Sequence, residues 1–106
     1  MKESAIERAV VAHCKARGLL CYKFSSPAHR GVPDRVILGP SGRIMFLELK
    51  APGKHPTPLQ YRELFKIGKF DFSAIWRDDA GKALWAIDTF FKPSNDWHGP
   101  DVAALE

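Results

Sequence analysis

The stretch GVPDRVILGPSGRIMFLELK, residues 31–50, decides the fold. Two apolar runs, Asp34 to Leu38 and Arg43 to Lys50, flank the turn formers Gly39-Pro40-Ser41-Gly42 and predict a β-hairpin. Its open end carries Asp34, Glu48 and Lys50. With a three-residue turn at Pro40-Ser41-Gly42, Gly39 pairs with Arg43 and Asp34 falls opposite Glu48; another turn length would shift this register. Side chains alternate along a strand, so Asp34, Val36 and Leu38 share a face with Ile44, Phe46, Glu48 and Lys50. The two carboxylates would then have Cβ atoms about 4.5–5.5 Å apart. Like charges so opposed destabilise a sheet, and the apolar neighbours Val36 and Phe46 raise the cost of ionisation. A divalent cation reverses that cost, and hard carboxylate oxygens suit Mg²⁺ or Mn²⁺. Lys50, on the same face, would stabilise charge on an attacking water or on a phosphate. The group reads as a metal site for phosphodiester hydrolysis. Taken singly, Pro33-Asp34 could simply start a strand, and Glu48 with Lys50 could be a solvated face. Their shared parity in one hairpin is what favours a site.

Outward from the hairpin, Ile6, Ala9, Val10, His13 and Cys14 recur at helical spacing and predict a helix over about Ser4 to Arg17. Ser4 with Glu7 fits a capping box, and Gly18 a stop. Leu19 to Phe24 predicts a short strand, followed by a loop from Ser25 to Pro33. Beyond the hairpin and the loop Ala51–Pro56, Thr57 suits an N-cap, Pro58 the first helical position, and Gln60 the third position of a second capping box. That helix ends at Gly68, with Leu64 and Phe65 expected inside and Tyr61 as a further candidate. Phe70 to Arg77 predicts a strand. A turn at Asp78-Asp79-Ala80-Gly81 leads to a further expected strand from Lys82 to Ile87, although Ala80, Ala83, Leu84 and Ile87 also fit a helix. The order, roughly αβββαβ, predicts an α/β domain with a mixed central sheet flanked by helices. Residues 1–91 make one body. Residues 92–106 read as a tail whose Trp97 docks on the body or on a partner chain.

The net charge of +4 understates the body's basicity, because residues 92–106 set one Lys against Asp96, Asp101 and Glu106 and leave +6 on residues 1–91. A basic body suits an anionic partner such as nucleic acid, or is simply a soluble surface of high pI. Cys14 and Cys21 are too few for a disulfide framework, lack metal-type spacing, and read as two buried free thiols. Charges at Glu3, Glu7 and Arg8 interrupt any signal-peptide core, and no run reaches the ~20 apolar residues of a membrane span. The expectation is a cytoplasmic protein, in the host cell if viral, with no membrane partner.

These residues also match a known pattern. Pro33-Asp34, thirteen residues, then Glu48-Leu49-Lys50 resembles the PD-(D/E)xK nuclease signature. The fuller set adds a helix with Glu7, Gly31-Val32-Pro33-Asp34-Arg35, Phe46-Leu47-Glu48-Leu49-Lys50 and Thr57-Pro58-Leu59-Gln60. It resembles the VRR-NUC domain of virus-type replication and repair nucleases over about residues 1–91. The resemblance implies a restriction-endonuclease-like core and metal-dependent DNA cleavage. It implies Asp34, Glu48 and the Leu49 carbonyl as Mg²⁺ or Mn²⁺ ligands, and Lys50 as the group that positions or activates water. Glu7 would bind metal or a metal-associated water, and Gln60 would orient Lys50 or a phosphate. As third members of capping boxes, Glu7 and Gln60 have a structural reading as well. Stand-alone viral members resemble dimeric Holliday-junction resolvases, so the expected partners are branched DNA and a second copy of the chain. Flap, nick or duplex cleavage is the alternative within that chemistry, and a non-catalytic DNA-binding module the alternative outside it. Arg30, Arg35, Lys54, His55 and Arg62 are candidate DNA-backbone contacts, with His29, Lys66 and Lys69 nearby.

Overall fold

A computed structural model describes residues 1–92. The expected tail, apart from Lys92, and its Trp97 lie outside the described residues. Helix α1 (Glu3–Ala16) leads to strand β1 (Leu20–Lys23). Strands β2 (Arg35–Leu38) and β3 (Ile44–Leu49) form the hairpin. Helix α2 (Pro58–Gly68), strand β4 (Ser73–Arg77) and helix α3 (Ala80–Phe90) complete the fold. The sheet order is β1-β2-β3-β4, with β4 parallel to β3 and the other pairs antiparallel. This is the expected mixed α/β sheet.

The hairpin turns through Pro40-Ser41-Gly42, and Gly39 N donates to Arg43 O at 3.0 Å. Register pairs run from Leu38–Ile44 to Arg35–Leu47, so continuation by one residue sets Asp34 against Glu48. The expected register is therefore the observed one. On the other side of β2, Phe24 N donates to Asp34 O at 2.7 Å and closes the loop Ser25–Pro33 at its base.

Alternation divides the sheet. Ile37, Met45, Leu47 and Leu49 point to one face and are buried against Ile6, Val10 and Cys14 of α1 and Ala83 and Ile87 of α3. The two helices are fastened together by Asp88, whose Oδ1 lies 2.7 Å from His13 Nε2 and 3.1 Å from Arg17 Nε. The opposite face carries an aromatic row, Phe24–Phe46–Phe72, with ring centroids 5.6 and 6.0 Å apart. Helix α2 packs on that side, against β4.

Four local expectations are corrected. Residues 82–87 are helical, not a strand: Asp79 caps α3 through Oδ2, which accepts from Lys82 N at 2.8 Å. The spacing of Ala83 and Ile87 then buries both. The N-cap of α1 is Lys2, without a side-chain bond, so Ser4 lies inside the helix and no capping box joins it to Glu7. Strand β4 starts at Ser73 rather than Phe70, because the chain turns at Asp71 with φ of 67°. Phe65 and Tyr61 are exposed, Phe65 to 70%, while Leu64 and Glu63 fill the inner side of α2. The cysteines are both free, Cys14 buried and Cys21 half-buried.

Candidate active site

The sheet supplies the site from two adjacent strand ends. Asp34 follows buried Pro33 and immediately precedes β2, and Glu48 sits near the end of β3. Lys50 is held just past β3 by its backbone N, which donates to Arg77 O at 3.0 Å. The following loop is tied back by Gly53 N, which donates to Asp78 Oδ2 at 3.0 Å.

Glu48 is the unusual member: its carboxylate is buried, and only 1% of the residue is exposed. Lys50 Nζ lies 3.6 Å from Glu48 Oε2, beyond a good hydrogen bond but within Coulombic reach. Glu48 Oε1 has no hydrogen-bond partner among the described residues. Burial, followed by the adjacent Asp34 carboxyl, pushes Glu48 up to about 8, against a lowering pull from Lys50. Two carboxylates cannot donate to each other, so either a proton or a cation has to lie between them. The orphaned oxygen, the facing acid and an all-oxygen donor set fit a hard divalent ion.

The remaining expected site residues have other engagements. Glu7 Oε1 accepts from Arg35 Nε at 3.1 Å and also pairs with Arg35 Nη2. Arg35 lies on the sheet face opposite Asp34, so this pair bridges α1 and β2. Among the described residues, no three His, Cys, Asp or Glu side chains are grouped so that they could hold a metal ion, and Glu7 does not complete a carboxylate triad. Gln60 serves α2: its Oε1 accepts from Thr57 N at 2.9 Å, and its N donates to Thr57 Oγ1 at 3.2 Å. Arg30, Lys54, His55 and Arg62 are exposed, and the His55 ring lies 5.2 Å from that of Trp76. A buried acid that sequence reasoning missed is Glu63, which lies 2.9 Å from His29 Nε2. Its spacing from Lys66 reads as an ordinary surface pair, and no linear signal announces its burial.

A comparison with models of protein families gives no match. "Putative nuclease p44" of Acyrthosiphon pisum secondary endosymbiont phage 1 is 48% identical over an alignment of 71 residues, with 64% of this chain and 76% of that protein covered. A solved structure described as "VRR_NUC domain" superposes with a TM-score of 0.78 at 25% identity, covering 86% of this chain and 99% of that one. The chain belongs to the VRR-NUC family. A second structure, "VRR_NUC domain protein", shares the fold with a TM-score of 0.70 at 18% identity, over 87% of this chain and 89% of that one. Within this VRR-NUC chain, the facing acids and Lys50 lie in the hairpin that the sequence singled out.

Proposed function

We propose that this VRR-NUC protein is an Mg²⁺- or Mn²⁺-dependent DNA endonuclease that cuts branched DNA, four-way junctions above all, as a homodimer. Nuclease activity is supported by family membership and by the phage relative named a nuclease. The observation that carries the reading is Glu48, a buried carboxylate with one oxygen unpartnered among the described residues, facing Asp34 beside Lys50. Asp34, Glu48 and the Leu49 carbonyl would hold the ion. Once bound, a divalent cation supplies Lewis-acid charge for a phosphoryl oxygen and lowers the pKa of water.

The chain's own groups do the rest. Lys50 places its ammonium beside the acid pair, where it orients the nucleophilic water and offsets negative charge gathering on the phosphate. Water adds to phosphorus, the phosphorus–ester oxygen bond breaks, and the products are a phosphomonoester and a hydroxyl. Exposed Arg30, Lys54, His55 and Arg62 would bind backbone phosphates without reading sequence. Glu7 supports the strand from the opposite face by fixing Arg35, and Gln60 fixes the start of α2.

The dimer has a physical motive: one domain carries one site, whereas a junction is cut on two strands related by two-fold symmetry. An exposed apolar face also supports it. Phe65 is 70% exposed and lines an open groove of about 800 Å³ together with Tyr61, Leu64 and Trp76.

The test is cleavage of end-labelled four-way junction, flap and duplex, each with Mg²⁺, Mn²⁺ or EDTA, beside Asp34→Asn. Paired, symmetric junction cuts that need metal and vanish in the variant are expected. Equal cutting of all three substrates removes the junction preference. Metal-independent binding without cutting overturns the enzyme reading.

A further inference from the structure

The acid pair depends on where the loop Ser25–Pro33 delivers Asp34. Its base is pinned by Phe24 N donating to Asp34 O. Its far part is pinned to α2 in two ways. At the tip, His29 Nε2 lies 2.9 Å from Glu63 Oε1, which also accepts from Lys66 Nζ at 3.1 Å. Two residues on, Gly31 adopts φ of 90° and packs so closely on α2 that an added Cβ would stand 2.9 Å from Leu59 Cγ and 3.1 Å from Leu59 O. Pro33 is then fully buried, directly before Asp34.

Glu63 is otherwise an expensive residue. Its side chain is only 8% exposed, and an apolar residue would fill the inner side of α2 without burying a charge. His29 first and Lys66 second hold its carboxyl below the usual range, so it stays ionised against burial. Lys66 is half exposed and lies one helical turn away on the same helix, so that pair fixes nothing beyond α2. The contact with His29 is different, because it joins two segments far apart in sequence.

We propose that Glu63 is a positioning residue: through His29 it tethers the Ser25–Pro33 loop to α2 and so fixes Asp34 opposite Glu48. This rests on the reading of Asp34 and Glu48 as metal ligands. A carboxylate suits the task because its charge attracts the His29 ring across the gap between two segments, which an apolar side chain at Glu63 would not do. Small displacements of a ligating group are costly to binding and to chemistry alike.

The test compares wild type with Glu63→Ala, Glu63→Gln, His29→Ala and a control, Asp88→Ala, which breaks the α1–α3 fastening on the other side of the sheet. Two quantities are read: Mn²⁺ binding by calorimetry, and hydrogen exchange of backbone amides in residues 25–34. Glu63→Ala and His29→Ala should each weaken Mn²⁺ binding by about tenfold or more, the usual cost of losing a group that orients a ligand. Both should speed exchange in the loop. Glu63→Gln keeps the size of the side chain but not its charge, and should recover only part of both. Asp88→Ala should lower Tm without changing either. Because His29 is half exposed, His29→Ala decides the matter even if Glu63→Ala does not fold. Unchanged loop exchange in His29→Ala overturns the tether, and faster exchange with wild-type Mn²⁺ affinity overturns its link to Asp34. If wild type takes no Mn²⁺, the metal reading fails separately, and the exchange comparison still decides the tether.

Discussion

Lys50 Nζ stands 3.6 Å from one oxygen of the buried Glu48 carboxylate, and the other oxygen has no partner among the described residues. The lysine therefore compensates only part of the acid's burial. It also pulls Glu48 toward ionisation, which readies the acid for a cation. Lys50→Ala should cut kcat by about a hundredfold or more, as expected for the loss of charge stabilisation at a reacting phosphate. Tm should barely move, because Glu48 can take up a proton instead. Single-turnover cleavage with a melting curve on the same preparation checks both. A collapse in Tm with proportionate loss of activity would make Lys50 a structural residue.

The same burial gives the metal-free protein a particular pH dependence. Glu48 titrates from its ordinary 4.5 in the unfolded chain up to about 8 in the fold. Between those values the unfolded chain binds fewer protons than the folded one, so stability falls as pH rises from about 4.5 to about 8 and then levels off. The loss from this group is on the order of a few kcal/mol. Glu48→Gln cannot ionise, so its contribution should be flat. At pH 8 without metal the variant should melt above wild type, and near pH 4 the two should converge. Mg²⁺ should raise the wild-type Tm at pH 8 and leave the variant nearly unmoved. Denaturant melts in EDTA across this window check the slope, and parallel curves would mean that Glu48 is ionised in the metal-free fold.

The two helix starts show where sequence reading succeeded and where it failed. Thr57-Pro58-Leu59-Gln60 forms a complete capping box, while Ser4-Ala5-Ile6-Glu7 has the same pattern and forms none. Pro58 fixes the first position of α2. Nothing comparable stops α1 from starting earlier, at Glu3. Glu7 is then freed to meet Arg35, a partner 28 residues away that no local pattern reveals. Thr57→Ala should cost about 1 kcal/mol, and Ser4→Ala less than about 0.5 kcal/mol. Glu7→Ala should cost more than Ser4→Ala, because it leaves the mostly buried Arg35 unpaired. Chemical denaturation of the three variants checks the order.

The legible part of the site was set by parity and turn length. Once three residues occupy the turn, Asp34, Glu48 and Lys50 must share a face, whatever else the chain does. Helix α3 was harder, because Asp78-Asp79-Ala80-Gly81 serves equally as a turn and as a cap. The choice is made by burial of Ala83 and Ile87 against α1, which is a tertiary fact. Glu63 was illegible for the same reason: a helical acid reads as solvated until a distant loop covers it.

That loop supplies a last expected outcome. Gly31 has φ of 90°, and a methyl group there would meet Leu59 at 2.9 Å and the Leu59 backbone oxygen at 3.1 Å. Gly31→Ala thus combines left-handed strain with a contact to main chain that cannot rotate away. It should destabilise the fold by about 1–3 kcal/mol. Gly53 also has positive φ, 79°, but none of the described residues lies within 4 Å of an added Cβ, so Gly53→Ala carries the strain alone. The difference between the two variants isolates the contact with α2. If that contact holds the loop, Gly31→Ala should lose cleavage well beyond its loss of stability, while Gly53→Ala should lose no more than its Tm predicts. Equal effects would assign both to backbone strain and remove Leu59 from the account of how Asp34 is placed.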